Sequence, residues 1–324
     1  MNQHSSSIVY FGKLPNFGDF VRYNAGGSEI YAFEKWIQEG IYYSQKIIGQ
    51  DWNSAFQESP PYHFVFYPEE AGHILVGMFI PSRDKSGRRY PFVLSFKLDR
   101  RSQPDDTVHL LPLRFAPYFK DAIRCLARLP EESDLHCIVA HARELESHLT
   151  RNLSVADGEF DRYLQGTGLE TFWQAVLGDP RDPRRFLILK NMSEILMPLR
   201  TDNPQRLSLG LRFPLGNDTG QIEFVLGFWI CTVRHLLGNP SLQPTYFWGG
   251  DARYGGSYLF LFLRAPMSKH YSSLILPEAE NDSMCKLERE GIGKLDDAPR
   301  SLEGRVRSLL EDPDASLADL IAGF

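Results

Sequence analysis

Hydrophobic residues recur along this chain at two different spacings. Between Glu29 and Ile48, the apolar positions Ile30, Phe33, Trp36, Ile37, Ile41, Ile47 and Ile48 lie close to one helical face, and Gly49 suits the end of such a helix. Tyr62 to Tyr67, Ile74 to Ile80 and Phe92 to Leu98 are short runs rich in Val, Ile and Phe, separated by turn-forming residues. They predict three strands of an antiparallel meander. An earlier apolar run, Ile8 to Phe11, reads as a further strand, and residues 113–149 read as two helices divided by Pro130.

Beyond Ser154 to Gly158, where Asp157-Gly158 signals a turn, the pattern starts afresh. Phe160 to Leu177 is helical by spacing, and Arg185 to Leu189 is a short buried-strand candidate. Gln221 to Leu237 is apolar nearly all round, which predicts a helix enclosed by its surroundings. Strands at Thr245 to Trp248 and Tyr258 to Leu263 flank a glycine-rich hairpin loop. Two short amphipathic pieces close the chain, one through Leu302, Val306, Leu309 and Leu310, the other from Ser316 to Ile321, where Ser316 and Asp319 form a capping-box pattern. Helices this short are marginal alone, so docking onto the body is expected.

These elements predict an α+β (mixed α/β) protein built on an antiparallel sheet with flanking helices. Residues 1–153 form an N-terminal α+β domain similar in element order to longin or profilin folds, residues 154–276 a second α/β unit, and residues 277–324 a charged C-terminal extension with short helices. A chain of 324 residues is long enough for two packed units.

Charge sharpens this division. From Pro277 onward there are twelve Asp and Glu against six Lys and Arg, a surplus equal to the net charge of −6 for the whole chain, so residues 1–276 are balanced. No broad basic face for nucleic acid is implied. The four cysteines, at 125, 137, 231 and 285, make no Cys-x-x-Cys pair and read as reduced thiols. The first residues lack the basic and apolar regions of a secretory signal, and the longest apolar run, Phe224 to Val233, is far below the roughly 20 residues that span a bilayer. A soluble, cytoplasmic protein without membrane insertion is expected.

Catalytic signatures are absent: there is no nucleophile elbow, zinc-protease, kinase or phosphate-loop pattern. Gly249 to Gly256 lacks the lysine and hydroxyl of a phosphate-cradling loop. Cys137, His141, Glu144 and His148 fall on one helix face, but a straight helix cannot aim four successive turns at one ion, and a polar border to a core-facing helix is the simpler reading. No metal, no cofactor and no catalytic residue is expected.

Two loops remain. In the first, Tyr10 to Val21, the strand breaks at Gly12, turns through Leu14-Pro15 and Gly18-Asp19, and carries Lys13 and Asp19 as its only charges. Glycine there suits a positive φ or a close approach, and Pro15 holds Leu14 extended. In the second, Pro81 to Pro91, Arg83, Lys85, Arg88 and Arg89 surround Asp84. Should both loops emerge at one end of the sheet, Asp19 and Asp84 are placed to fix Arg22, Arg88 or Lys13 through charge-assisted hydrogen bonds.

Gly12-Lys13-Leu14-Pro15 with Gly18-Asp19-Phe20-Val21-Arg22 resembles the opening signature of the type VI secretion-associated TagF (ImpM-like) family. Pro81-Ser82-Arg83-Asp84 followed by Gly87-Arg88 and Pro91 is similar to that family's second stretch, in the same order. The sequence departs from the family at Tyr23 to Gly27, where a Leu-Pro step is common. The resemblance implies a cytoplasmic posttranslational repressor of type VI secretion that binds the forkhead-associated scaffold protein or another secretion component. It implies no catalysis, since the phosphatase fused to some members has no trace here. Gly12, Lys13, Leu14, Pro15, Gly18, Asp19, Phe20, Arg22, Pro81, Ser82, Asp84, Gly87, Arg88 and Pro91 are then the partner-binding or loop-shaping residues. The competing expectation is a hydrolase or transferase with a pocket between the two units, using Asp19, Asp84 and His63 or His109. A small-ligand sensor, needing a largely apolar pocket, is a third. Oligomeric state is not legible.

Overall fold

Alternation along the first strand sets the layering of the molecule. In β1 (Ile8–Gly12), Ile8 and Tyr10 pack into one apolar cluster while Val9 and Phe11 pack into another, because successive side chains of a strand point to opposite faces of the sheet. A strand buried on both faces needs a cover on each side, and helices supply both. The computed structural model describes residues 8–102, 105–128, 156–217, 220–251 and 256–324.

β1 is followed by β2 (Val21–Tyr23), α1 (Ser28–Ile48), α2 (Trp52–Glu58), β3 (Tyr62–Phe66), β4 (His73–Ile80), β5 (Phe92–Asp99) and α3 (Leu111–Arg128). The later part adds α4 (Ala156–Gly166), α5 (Leu169–Leu177), α6 (Arg184–Leu196), β6 (Gly210–Gly216), α7 (Ile222–Leu236), β7 (Thr245–Asp251), β8 (Gly256–Phe262), α8 (Ser268–Ile275) and β9 (Met284–Lys286). Three short helices end the chain: α9 (Ala298–Ser301), α10 (Gly304–Glu311) and α11 (Leu317–Ala322).

The described strands form one nine-stranded sheet in the order β2-β1-β5-β4-β3-β7-β8-β6-β9. Every neighbouring pair is antiparallel except β6 and β9. The meander β3-β4-β5 is present as expected, and β3 pairs along its other edge with β7, Phe64 facing Phe247. Strands from early and late in the chain thus share one sheet. Helix α1 lies across this seam: the Phe33 ring sits 4.5 Å from Phe64 on β3, and Trp36 stacks 4.9 Å from Phe247 on β7. Trp52, Phe56 and Tyr271 extend that layer. On the opposite face, Phe115, Trp173, Leu189, Trp229 and Leu310 belong to one larger cluster.

Three expectations change. Arg185 to Leu189 is not a strand; it forms the start of α6, where Phe186 to Met192 are buried without a break. A short run with no polar face cannot announce its period. The predicted single helix from Phe160 to Leu177 is two, α4 and α5, because Gly168 is extended and bridges to Ser316. β6 was not anticipated, since Pro214 lies within it. The strand tolerates the proline at a register shift between Pro214 and Gly216. The helix expected after Pro130, with Cys137, His141, Glu144 and His148, lies outside the described residues.

The extension docks on the body. Val306, Leu310, Leu317 and Leu320 are buried in the larger cluster, and the capping box forms, with Ser316 N–H donating to Asp319 Oδ2 at 2.9 Å.

Candidate functional site

The two loops meet. β1 pairs with β5, and the β4–β5 connector emerges beside the end of β1, so Gly12 to Val21 and Pro81 to Pro91 share one end of the sheet. Contact between them is close enough to dictate sequence. Gly12 has φ +133°, and a Cβ there would lie 2.2 Å from the Pro91 carbonyl oxygen. Gly87 has φ +86° and turns the second loop back on itself, its N–H donating to Asp84 O at 2.9 Å. Gly18 differs from expectation: its φ is not positive and the space where a Cβ would stand is open. Its carbonyl is what matters.

Asp84 is the centre. Its side chain is fully buried, and both oxygens are occupied. Oδ1 accepts from Ser86 N–H at 3.0 Å, Ser86 O–H at 2.7 Å and Arg88 N–H at 2.9 Å. Oδ2 accepts from Arg88 Nε at 2.7 Å and pairs with Lys13 Nζ at 2.9 Å. Burial works against the charge of Asp84, but the hydrogen bonds from Lys13, Ser86 and Arg88 outweigh it and hold the carboxyl far below the usual carboxylate range.

Further bonds tie loop to loop. Ser82 Oγ donates to Lys13 O at 2.6 Å, Lys85 N–H to Phe17 O at 2.9 Å, and Arg88 NH2 to Gly18 O at 2.7 Å. Buried Leu14 and Pro91 and half-buried Pro15 and Pro81 wedge the backbones beneath these bonds. Phe20 lies 6.3 Å from Phe11 and 5.0 Å, edge to face, from Tyr90. Arg22 reaches over the Phe20 ring and pairs with Glu34 of α1 at 2.8 Å. Of the ion pairs anticipated, Asp84 with Lys13 and Arg88 is present. Asp19 is exposed and forms no ion pair among the described residues. Ser86, Tyr90 and Glu34 complete the site without having been singled out, and Glu34 gives no local signal because it arrives on a helix.

The groups considered for catalysis are in poor settings for it. His63 lies between Phe119, at 4.7 Å, and Trp248, at 5.2 Å, and burial lowers its pKa to about 4. His109 packs 4.9 Å from the Phe160 ring, with Arg234 at 3.3 Å from its Nδ1. Among the described residues no group of three His, Cys, Asp or Glu is placed to hold a metal ion, and no helix is long and apolar enough to cross a membrane.

Among curated proteins none matches the sequence. Among solved structures, the crystal structure of PA0076 from Pseudomonas aeruginosa PAO1 is similar at 16% sequence identity, covering 85% of this chain and 96% of that one with a TM-score of 0.48. Residues 9–145, which include both loops, match the model of the TagF N-terminal domain, type VI secretion system-associated. Over those residues the chain is similar to the N-terminal domain of type VI secretion system-associated TagF proteins.

Proposed function

We propose that this protein is a non-catalytic, cytoplasmic regulator that represses type VI secretion by occupancy: the face built from Gly12 to Val21 and Pro81 to Pro91 captures a secretion component and keeps it from assembling. The forkhead-associated scaffold protein is the partner favoured by the family resemblance. The observation that carries the reading is the Asp84 clamp. It spends a buried carboxylate and five hydrogen-bonding contacts on fixing the shape of two surface loops, and leaves that carboxylate no free lone pair for acid or base work. Rigid loops lower the entropy cost of forming an interface.

The test is binding of the purified forkhead-associated scaffold protein to the wild-type chain and to Lys13→Glu and Arg88→Glu, each shown to be folded by circular dichroism. Loss of about ten-fold or more in affinity is expected from either variant, the scale of a disrupted charged contact. Undiminished binding by both removes this face from the interface.

A further inference from the structure

Charge is unevenly distributed at this end of the sheet. Gly12 to Arg22 and Pro81 to Pro91 together hold six Lys and Arg against two Asp, on a chain whose net charge is −6. Pairing consumes only part of the surplus: Lys13 and Arg88 share the single carboxylate of Asp84, and Arg22 is matched by Glu34. Arg83 and Lys85 are exposed and meet no carboxylate among the described residues. The Arg88 side chain is 62% exposed even while its Nε is held by Asp84. The clamp therefore fixes a tip on which three cations face water. The backbone bridge between Arg83 and Arg89, and the bond from Lys85 N–H to Phe17 O, hold the backbone beneath those side chains.

We infer that this tip recognises an acidic segment, rich in Asp and Glu, on its protein partner, with Arg83, Lys85 and Arg88 as the reading cations. The inference rests on the proposed docking face and assigns it a chemistry. An isolated tip with three exposed cations, of which Arg83 and Lys85 meet no carboxylate among the described residues, suits a short acidic segment. Nucleic acid would call for a basic stripe that follows a phosphate backbone, a longer feature than this tip. Opposite charge at the rim of an interface acts mainly by steering encounter, so the effect should appear in the association rate and should fade with salt.

The experiment uses the full-length chain and the forkhead-associated scaffold protein, with association followed at about 0.05 and 0.5 M salt, conditions that change the screening length roughly three-fold. Wild type should associate about ten-fold faster at low salt. The double variant Arg83→Gln/Lys85→Gln should lose part of that advantage and Arg83→Glu/Lys85→Glu all of it. A carbodiimide, which joins amines to carboxylates directly, should link Lys85 to an Asp or Glu of the scaffold. If Lys13→Glu and Arg88→Glu abolish binding while both double variants associate normally at either salt, the acidic-segment inference falls and the docking face stands. If none of the four variants changes binding, both fall. Retention of a duplex oligonucleotide with an affinity equal to that of the scaffold would also overturn the inference.

Discussion

Two ion clusters in this molecule use the same device with opposite sign. At the loop end, a buried anion, Asp84, gathers Lys13 and Arg88. At the far edge of the sheet, a buried cation, Arg212 of β6, gathers Glu278 and Glu288, donates to Pro277 O at 2.6 Å and lies 4.0 Å from the Tyr258 ring centre. Glu278 and Glu280 also pair with Arg289, and Glu280 with Lys286, so the far cluster closes on itself. It attaches the acidic extension to the body. The Asp84 cluster does not close, because one carboxylate serves two cations and further cations stand beside it. The comparison separates a staple from a presented surface: both fix backbone, and only one leaves charge unspent.

Arg212→Ala should have the largest effect on stability. It removes the cation from a fully buried position and strands Glu288, a loss on the order of 3–5 kcal/mol for one partner of a buried pair. Chemical denaturation should show the shift, and an unchanged midpoint would mean that the cluster contributes no stapling. Acid should come next. Burial lowers the pKa values of His63 and His270 to about 4, so the unfolded chain takes up protons near pH 6.5 that the folded chain refuses. Stability must then fall as pH drops from about 6.5 toward 4, since the unfolded state binds more protons there. His270→Gln should flatten that slope if it folds. Asp84, held far below the ordinary carboxylate range, keeps its charge through this window, and its stabilising effect is lost only at more acidic pH. The loop clamp should accordingly outlast the neutral histidines, as read by amide exchange at Ser86 and Arg88.

Ser316→Ala should cost about 1 kcal/mol, the usual value of a lost helix N-cap, measurable as earlier unfolding of the extension. Asp84→Asn should also lower the denaturation midpoint, since it removes the buried charge that Lys13 and Arg88 share, but by less than Arg212→Ala, while the amides of Lys85, Ser86 and Arg88 exchange faster. A fall in the midpoint equal to that of Arg212→Ala would erase the distinction between clamp and staple.

Long, strongly periodic segments were readable without coordinates. α1, α7, the meander of β3 to β5 and the hairpin strands β7 and β8 follow from apolar spacing, and the α11 capping box from Ser316 and Asp319 alone. Short or mixed segments were not. β2 and β9 have three residues each, too few to establish alternation. β6 hides behind Pro214, and α6 behind a run of apolar residues with no polar face.

The same boundary divides the site. Gly12, Gly87, the prolines and the clustered cations mark two shaped loops in the sequence itself, since each constrains only its own backbone. Sequence by itself determined that both loops would be turned, charged and sparing of chemistry. Tertiary structure alone decided that Asp84 would choose Lys13 over a distance of many residues, that Asp19 would form no ion pair among the described residues and Arg22 turn to Glu34, and that β3 would join β7 in a single sheet. Those outcomes depend on strand register and on which helix covers which seam, and no local propensity encodes a distance between segments far apart in the chain.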